Sequence, residues 1–188
     1  VLKAREQLEV MDVPMPQLST GQVLIEVSKC GICGSDVRYF QGENPWAKQT
    51  LGRHVDNPPN IIRGHELTGI VHEVFDDSDS HLLGKRVGVN TWITCGRCSF
   101  CRSGQENLCD RTKHLGHGQG WGKMDFYPGG MAEFCPAFAS QVYELPENVT
   151  DEQATFFDPL IAAMHAVDVG GPKPLDKVAV LGAGPIGL

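Results

Sequence analysis

The sequence predicts a compact, mainly β barrel that gives way near residue 150 to helices and the first strand and turn of an α/β domain. Three observations carry this. Short β-branched runs separated by Gly, Pro, Asn and Asp fill residues 1–150. The spacing of apolar residues then switches to a helical period after Thr150. Finally, the apolar run Lys177-Val-Ala-Val-Leu181 passes directly into Gly182-x-Gly184-x-x-Gly187.

Taken in order, Val1-Leu2-Lys3-Ala4 reads as the middle of a first strand. Val23–Val27 reads as a strand leaving the turn at Ser19-Thr20-Gly21. Leu67–Val74 reads as a further strand, with Gly69 marking a bulge or a close backbone approach. Arg86–Val89, Ala132–Cys135 and Gln141–Leu145 complete the β set. Between them, 41–60 reads as a long polar loop near a cleft mouth, and 116–122, rich in glycine, as a mobile loop. Thr150-Asp-Glu-Gln153 is a capping-box pattern, so a helix is expected from 151. Pro159 predicts a break or a new helix start at Asp158-Pro159, and Gly170-Gly171-Pro172 predicts the end. The expected domains are therefore 1–150 and 151–188. Leu188 falls inside the glycine turn, and the chain is expected to be a piece of a longer protein.

Composition narrows the function. A net charge of −7 argues against nucleic acid or an anionic membrane as the main partner. No apolar run approaches spanning length, and the N-terminus lacks the layout of a signal peptide. Seven cysteines, an odd number, without an export pattern fit a reducing compartment, and the cytoplasm is the expected location.

Four of those cysteines form Cys95-x-x-Cys98-x-x-Cys101-x₇-Cys109. Thiolates at that density bind a metal, and Zn²⁺ takes a closed Cys₄ cage when its role is structural. A ferredoxin-type cluster usually has a three-residue final gap followed by proline, whereas Asp110 follows Cys109 here. A disulfide pair is the other alternative. A second ligand set lies apart. Cys33, in Gly31-Ile-Cys33-Gly-Ser35-Asp36, and Gly64-His65-Glu66 offer a thiolate, an imidazole and a carboxylate. Such a mixed set leaves a coordination position open, as a catalytic zinc requires. Each residue alone would be unremarkable, since a single buried cysteine is usually core. The glycines after Leu181 suit a pyrophosphate: one for the turn, one for close backbone approach, one for helix–strand packing.

Together with Gly129-Gly-Met-Ala-Glu133, these motifs make the whole chain resemble the zinc-dependent medium-chain alcohol dehydrogenase superfamily. It is similar to that family's GroES-like catalytic domain, a partly open barrel, plus the start of its Rossmann domain. The resemblance implies two Zn²⁺ ions per chain. One would be structural, on Cys95, Cys98, Cys101 and Cys109. The other would be catalytic, on Cys33, His65, Glu66 and Asp158, with Glu66 and Asp158 touching the metal directly or through water. A helix N-cap ahead of Pro159 is the alternative role for Asp158. NAD or NADP would sit on Gly182, Gly184, Pro185, Ile186 and Gly187. Ser35, His65 and Glu66 would be the catalytic residues, Ser35 accepting the alcohol proton.

Asp158 stands where simple alcohol dehydrogenases carry cysteine and polyol dehydrogenases glutamate. This points to a secondary alcohol: a polyol, a sugar or a threonine-like compound. A primary-alcohol member and a non-catalytic zinc-binding module are the alternatives. Arg38 replaces a relay histidine of many relatives and is expected to bind a cofactor phosphate or a substrate anion. Tyr39-Phe40 resembles the aromatic pocket wall of polyol dehydrogenases, with core packing as the alternative. Homo-dimers or homo-tetramers are typical of such relatives. Residues 1–188 alone are expected to bind zinc without turnover, because most of the dinucleotide site lies outside them.

Overall fold

The computed structural model describes residues 1–188, except the side chain of Thr50. Its centre is an antiparallel five-stranded open sheet built on β3 (Gln22–Gly31) and β4 (Glu66–Val74). The minor strands are β1 (Leu2–Ala4), β2 (Gln7–Leu8), β6 (Trp92–Ile93) and β7 (Lys113–His114). With β5 (Arg86–Val89), β8 (Phe134–Phe138) and β9 (Val142–Glu144), the main sheet runs β8-β3-β4-β5-β9. The strands expected within residues 1–150 form, within a few residues of where the β-branched runs place them.

Alternate side chains of these strands build the core. Val23 and Ile25 pack with Val71, Val87, Val89 and Leu115, each almost fully buried. Burial of one such side chain is worth about 1.5–3 kcal/mol. The β3–β4 register shifts between Val27 and Lys29, opposite Gly69. A Cβ on Gly69 would strike the Glu26 carbonyl, so this glycine permits a close approach at a bulge.

Where the sequence suggested only a loop, α2 (Pro45–Leu51) follows α1 (Gly34–Phe40). Asn44 caps α2 by accepting from Ala47 N–H at 2.9 Å, and Pro45 occupies the first turn. A smaller apolar cluster of Leu2, Tyr39, Ile61 and Tyr127 packs this region against the N-terminal strand. A short α3 (Ser99–Arg102) lies within the four-cysteine segment.

At the C-terminal end, Thr150 and Gln153 form the expected capping box on α4 (Asp151–Ala154). The break then falls at Thr155-Phe156, earlier than expected, and α5 (Phe157–Gly170) begins before Asp158-Pro159. Pro159 fits within the first turn, where a missing N–H breaks no helical bond. Asp158 is therefore not the cap; Phe156 is. Gly171, at φ 54°, ends α5 in the left-handed conformation. Lys177–Leu181 forms no strand among the described residues, and Leu181 is 99 % exposed. A parallel strand is held by neighbours in its sheet and by cover on both faces, and neither is present here. Among the described residues, no helix is long and apolar enough to cross a membrane.

Candidate metal centre and active site

Antiparallel pairing builds the first half of this site. Gly31, at the end of β3, faces Glu66, at the head of β4. The loop that leaves β3 and the loop that enters β4 are thus side by side. Cys33 follows two residues after Gly31, and His65 precedes Glu66, so distant parts of the sequence meet. Glycine at 31 leaves room for the Glu66 carboxylate, which a Cβ there would displace. Gly64 has φ 93°, and its backbone is fixed by Gly130 N–H donating to its carbonyl at 2.8 Å.

One ligand atom each of Cys33, His65 and Glu66 lies within 4.8 Å of the others. Asp158 arrives from α5, whose Phe157 packs on Gly88 and, 5.5 Å between ring centroids, on Tyr143. Burial raises the Glu66 pKa, and the nearby Asp158 carboxylate raises it further, against the lowering effect of Cys33. Burial also raises Asp158, opposed by His65 and Thr91. Thr91 Oγ1 is buried with no hydrogen bond within 3.5 Å, so its effect on Asp158 is that of a neighbouring dipole, not of a close bond. Burial lowers His65, against the carboxylates of Asp36 and Asp158. Neither Glu66 nor Asp158 pairs with Lys or Arg among the described residues. A thiol, an imidazole and a carboxylate gathered with no Lys or Arg paired to them among the described residues fit a divalent ion, and zinc accepts all three donor types. Asp158 lies near this set but outside it.

Asp36 organises this set, a role its sequence position did not reveal. Its Oδ2 accepts from Cys33 N–H at 2.9 Å. Its Oδ1 accepts from Arg63 at 2.8 Å and from Gly64 N–H at 3.3 Å, and lies 3.9 Å from His65 Nδ1. Both ligand loops are thereby tied to one buried carboxylate.

The glycine-rich segment 116–122 corrects the expectation of a mobile loop. Residues 114–119 are buried against the site. His117 Nε2 lies 3.3 Å from Ser35 Oγ, and its ring stacks on Tyr39 and on His114 at 5.0 and 4.0 Å. His114, for which the sequence offered no partner, places Nδ1 2.7 Å from the Leu115 carbonyl. Glycine allows this packing: Gly116, at φ 75°, lies so close to Gly64 that a Cβ would sit 2.5 Å from its carbonyl oxygen.

Tyr39 belongs to the core and not to a pocket wall. It is buried, and its hydroxyl bonds Asn44 at 3.2 Å and Gln119 at 3.0 Å. Arg38 reaches Glu43 at 2.8 Å on the exposed surface.

The four-cysteine segment closes on itself. Cys98 Sγ lies 3.4 Å from Cys101 Sγ, and Cys95 Sγ 4.0 Å from it. Zinc–sulfur bonds of about 2.3 Å in a tetrahedron give sulfur separations near ~3.8 Å. A disulfide would need about 2.05 Å. Backbone N–H groups of Cys95, Cys98, Cys101 and Arg111 each donate to a cage sulfur at 3.4 Å. The Cys95 thiol is held down to about 6, chiefly by the Arg97 backbone N–H, which suits a metal-binding thiolate. The third set, Gly182–Gly187, lies apart from both, with Gly187 N–H donating to the Gly184 carbonyl at 2.9 Å.

An open antiparallel sheet carrying a cluster of four cysteines and a separate Cys/His/Glu set is the architecture of a GroES-like domain. The family model described as the alcohol dehydrogenase GroES-like domain matches residues 19–147, and the chain belongs to that family. L-threonine 3-dehydrogenase of Serratia proteamaculans is 34 % identical over the whole chain. The chain covers 50 % of it, so it spans about half the length of the curated relatives it matches. Among solved structures, the RspB alcohol dehydrogenase of Escherichia coli CFT073, in complex with NADH, superposes with a TM-score of 0.83 at 31 % identity. That match covers 99 % of this chain and 49 % of the other. A Sinorhizobium meliloti protein described as a zinc-binding dehydrogenase and solved with NADP has a TM-score of 0.70 at 30 % identity, covering 89 % and 43 %.

Proposed function

We propose that this chain is the catalytic part of a zinc-dependent dehydrogenase that moves a hydride from a secondary alcohol to NAD or NADP. The substrate class is a polyol, a sugar or a threonine-like compound. The observation that supports this reading is that one ligand atom each of Cys33, His65 and Glu66 lies within 4.8 Å of the others, with the Asp158 carboxylate near Glu66. Residues 1–150 form the catalytic domain, and 151–188 lead into the nucleotide-binding domain.

Cys33, His65 and Glu66, with Asp158, would hold the catalytic zinc, and Cys95, Cys98, Cys101 and Cys109 a second, structural one. When bound, the catalytic zinc supplies Lewis-acid polarisation of the alcohol oxygen, which eases proton loss near neutral pH. The protein then disposes of that proton. Ser35 Oγ would receive it, with its hydroxyl held 3.3 Å from His117 Nε2. Burial and the neighbouring His114 keep the His117 ring neutral, so it serves as a hydrogen-bond partner of Ser35 and not as the final holder of the proton. Asp36, 3.9 Å from His65 Nδ1, places a negative charge behind the ring and ties the Cys33 and Gly64 backbones together. The glycines at 182, 184 and 187, with Pro185 and Ile186, receive the cofactor pyrophosphate. A relative named L-threonine 3-dehydrogenase and solved neighbours in complex with NADH or NADP support the substrate class and the cofactor in this reading.

The test follows nicotinamide reduction by the full-length protein, loaded with zinc. Polyols, aldoses, L-threonine and simple primary alcohols are offered with NAD and NADP separately. Turnover of secondary alcohols is expected. Turnover confined to primary alcohols would overturn the substrate class, and none with any of them would favour a non-catalytic zinc-binding domain.

A further inference from the structure

Arg63 is an unusual residue to find at the floor of a cation site. It is 3 % exposed, yet its guanidinium has a role on each of its faces. One terminal nitrogen donates to Asp36 Oδ1 at 2.8 Å, and the other donates to the Gly116 carbonyl. The plane lies over the Tyr39 ring, 4.1 Å from its centroid. Its backbone carbonyl accepts from Met131 N–H at 2.8 Å, so the residue is anchored at both ends.

These contacts join three segments that approach the site from different directions. Asp36 governs the Cys33 loop and faces His65. Gly116 precedes His117, which meets Ser35. Arg63 itself leads into Gly64-His65-Glu66. From this geometry we infer that Arg63 is a positioning residue: its fork fixes the Asp36 carboxylate and the Gly116 loop together, and so sets the metal-binding geometry of Cys33 and His65. The inference rests on reading Cys33, His65 and Glu66 as a metal site.

Arginine suits this place for two reasons. Its planar fork reaches two acceptors at once and stacks on an aromatic ring, whereas a lysine ammonium is a single point charge. It also offsets one of the negative charges that Asp36, Glu66, Asp158 and the Cys33 thiolate would bring to the site. A core residue of similar volume, such as methionine, would fill the space without either effect.

Cobalt is the probe, because Co²⁺ in a mixed thiolate, imidazole and carboxylate site has visible bands that report its geometry. The full-length protein is titrated with Co²⁺ as wild type, Cys33→Ser, Arg63→Met and Arg63→Lys. The difference between wild type and Cys33→Ser isolates the site. If those two bind the same amount of Co²⁺ with the same spectrum, the metal-site reading fails, and the role of Arg63 fails with it. If they differ, Arg63→Met is expected to bind Co²⁺ at that site about 10- to 100-fold more weakly, with altered bands, while the four-cysteine cage keeps its own metal and spectrum. Unchanged affinity and bands in Arg63→Met would overturn the inference. Should Arg63→Met fail to fold, Arg63→Lys decides: it can pair with Asp36 but cannot also hold Gly116. A weakened site with altered bands supports the fork, and wild-type affinity and bands overturn it.

Discussion

Replacing Gly64 with alanine should damage the protein far more than the same change at Gly34, although both glycines adjoin a proposed metal ligand. At Gly64 the backbone sits at φ 93°, and an added Cβ would lie 2.5 Å from Cys30 Sγ, 2.8 Å from Met131 Cγ and 2.9 Å from Met131 N. The backbone cannot recoil easily. Gly130 N–H holds the Gly64 carbonyl, and Met131 N–H holds that of Arg63, both at 2.8 Å. A left-handed alanine costs about 1–2 kcal/mol. Overpacking in a tight core adds about 1–3 kcal/mol. Gly64→Ala should therefore lose about 2–5 kcal/mol of stability, and weaken the neighbouring His65 site as well. At Gly34 an added Cβ meets nothing within 4 Å, and the residue opens α1, where alanine is the better helix former. Urea unfolding of both variants, at matched metal content, measures the difference. A Gly64→Ala loss below 1 kcal/mol, or equal losses for the two variants, would refute the steric reasoning.

Three further outcomes are expected. Cys101→Ser should release one metal equivalent and loosen 95–111 while the five-stranded sheet persists, which metal analysis and hydrogen exchange can separate. Ser35→Ala should lower kcat about 10²- to 10⁴-fold with metal content intact, since it removes the proton acceptor and no ligand; a near-normal kcat would remove Ser35 from the relay. Finally, burial lowers His114 to about 3 from an ordinary 6.5, with the nearby His65 pushing the same way. Because the unfolded chain takes up a proton that the folded ring refuses, this stability is present above pH 6.5 and is lost as pH falls towards 3. The slope is up to about 1.4 kcal/mol per pH unit. His114→Phe should flatten the dependence of unfolding free energy on pH over that window, and an unchanged slope would contradict it.

What could be read from the chain was what depends on near neighbours. The β-branched run at Val23–Val27, the glycine at 69 and the Thr150–Gln153 cap all declare themselves within a few residues. So did the cysteine cage, whose ligands span 95 to 109, and the two motifs around Cys33 and His65. What stayed hidden depends on pairing across the sequence. Nothing near Arg63 says that it will face Asp36, 27 residues earlier. His117 finds Ser35 across 82 positions, so its glycine-rich surroundings suggested mobility when they in fact allow close packing. Tyr39 looked like a pocket wall until Asn44, Gln119 and Arg63 were seen to enclose it. A signal was available in one case: Asn44-Pro45 is a helix start, and it predicts α2 within the segment assigned to a loop.

The most direct test of the account is anomalous X-ray diffraction at the zinc edge, on crystals of the full-length protein grown with zinc. Two peaks per chain are predicted, one enclosed by Cys95, Cys98, Cys101 and Cys109, the other bounded by Cys33, His65 and Glu66. A peak in the cysteine cage alone, with the second set empty at saturating zinc, would contradict a catalytic metal and with it the dehydrogenase mechanism.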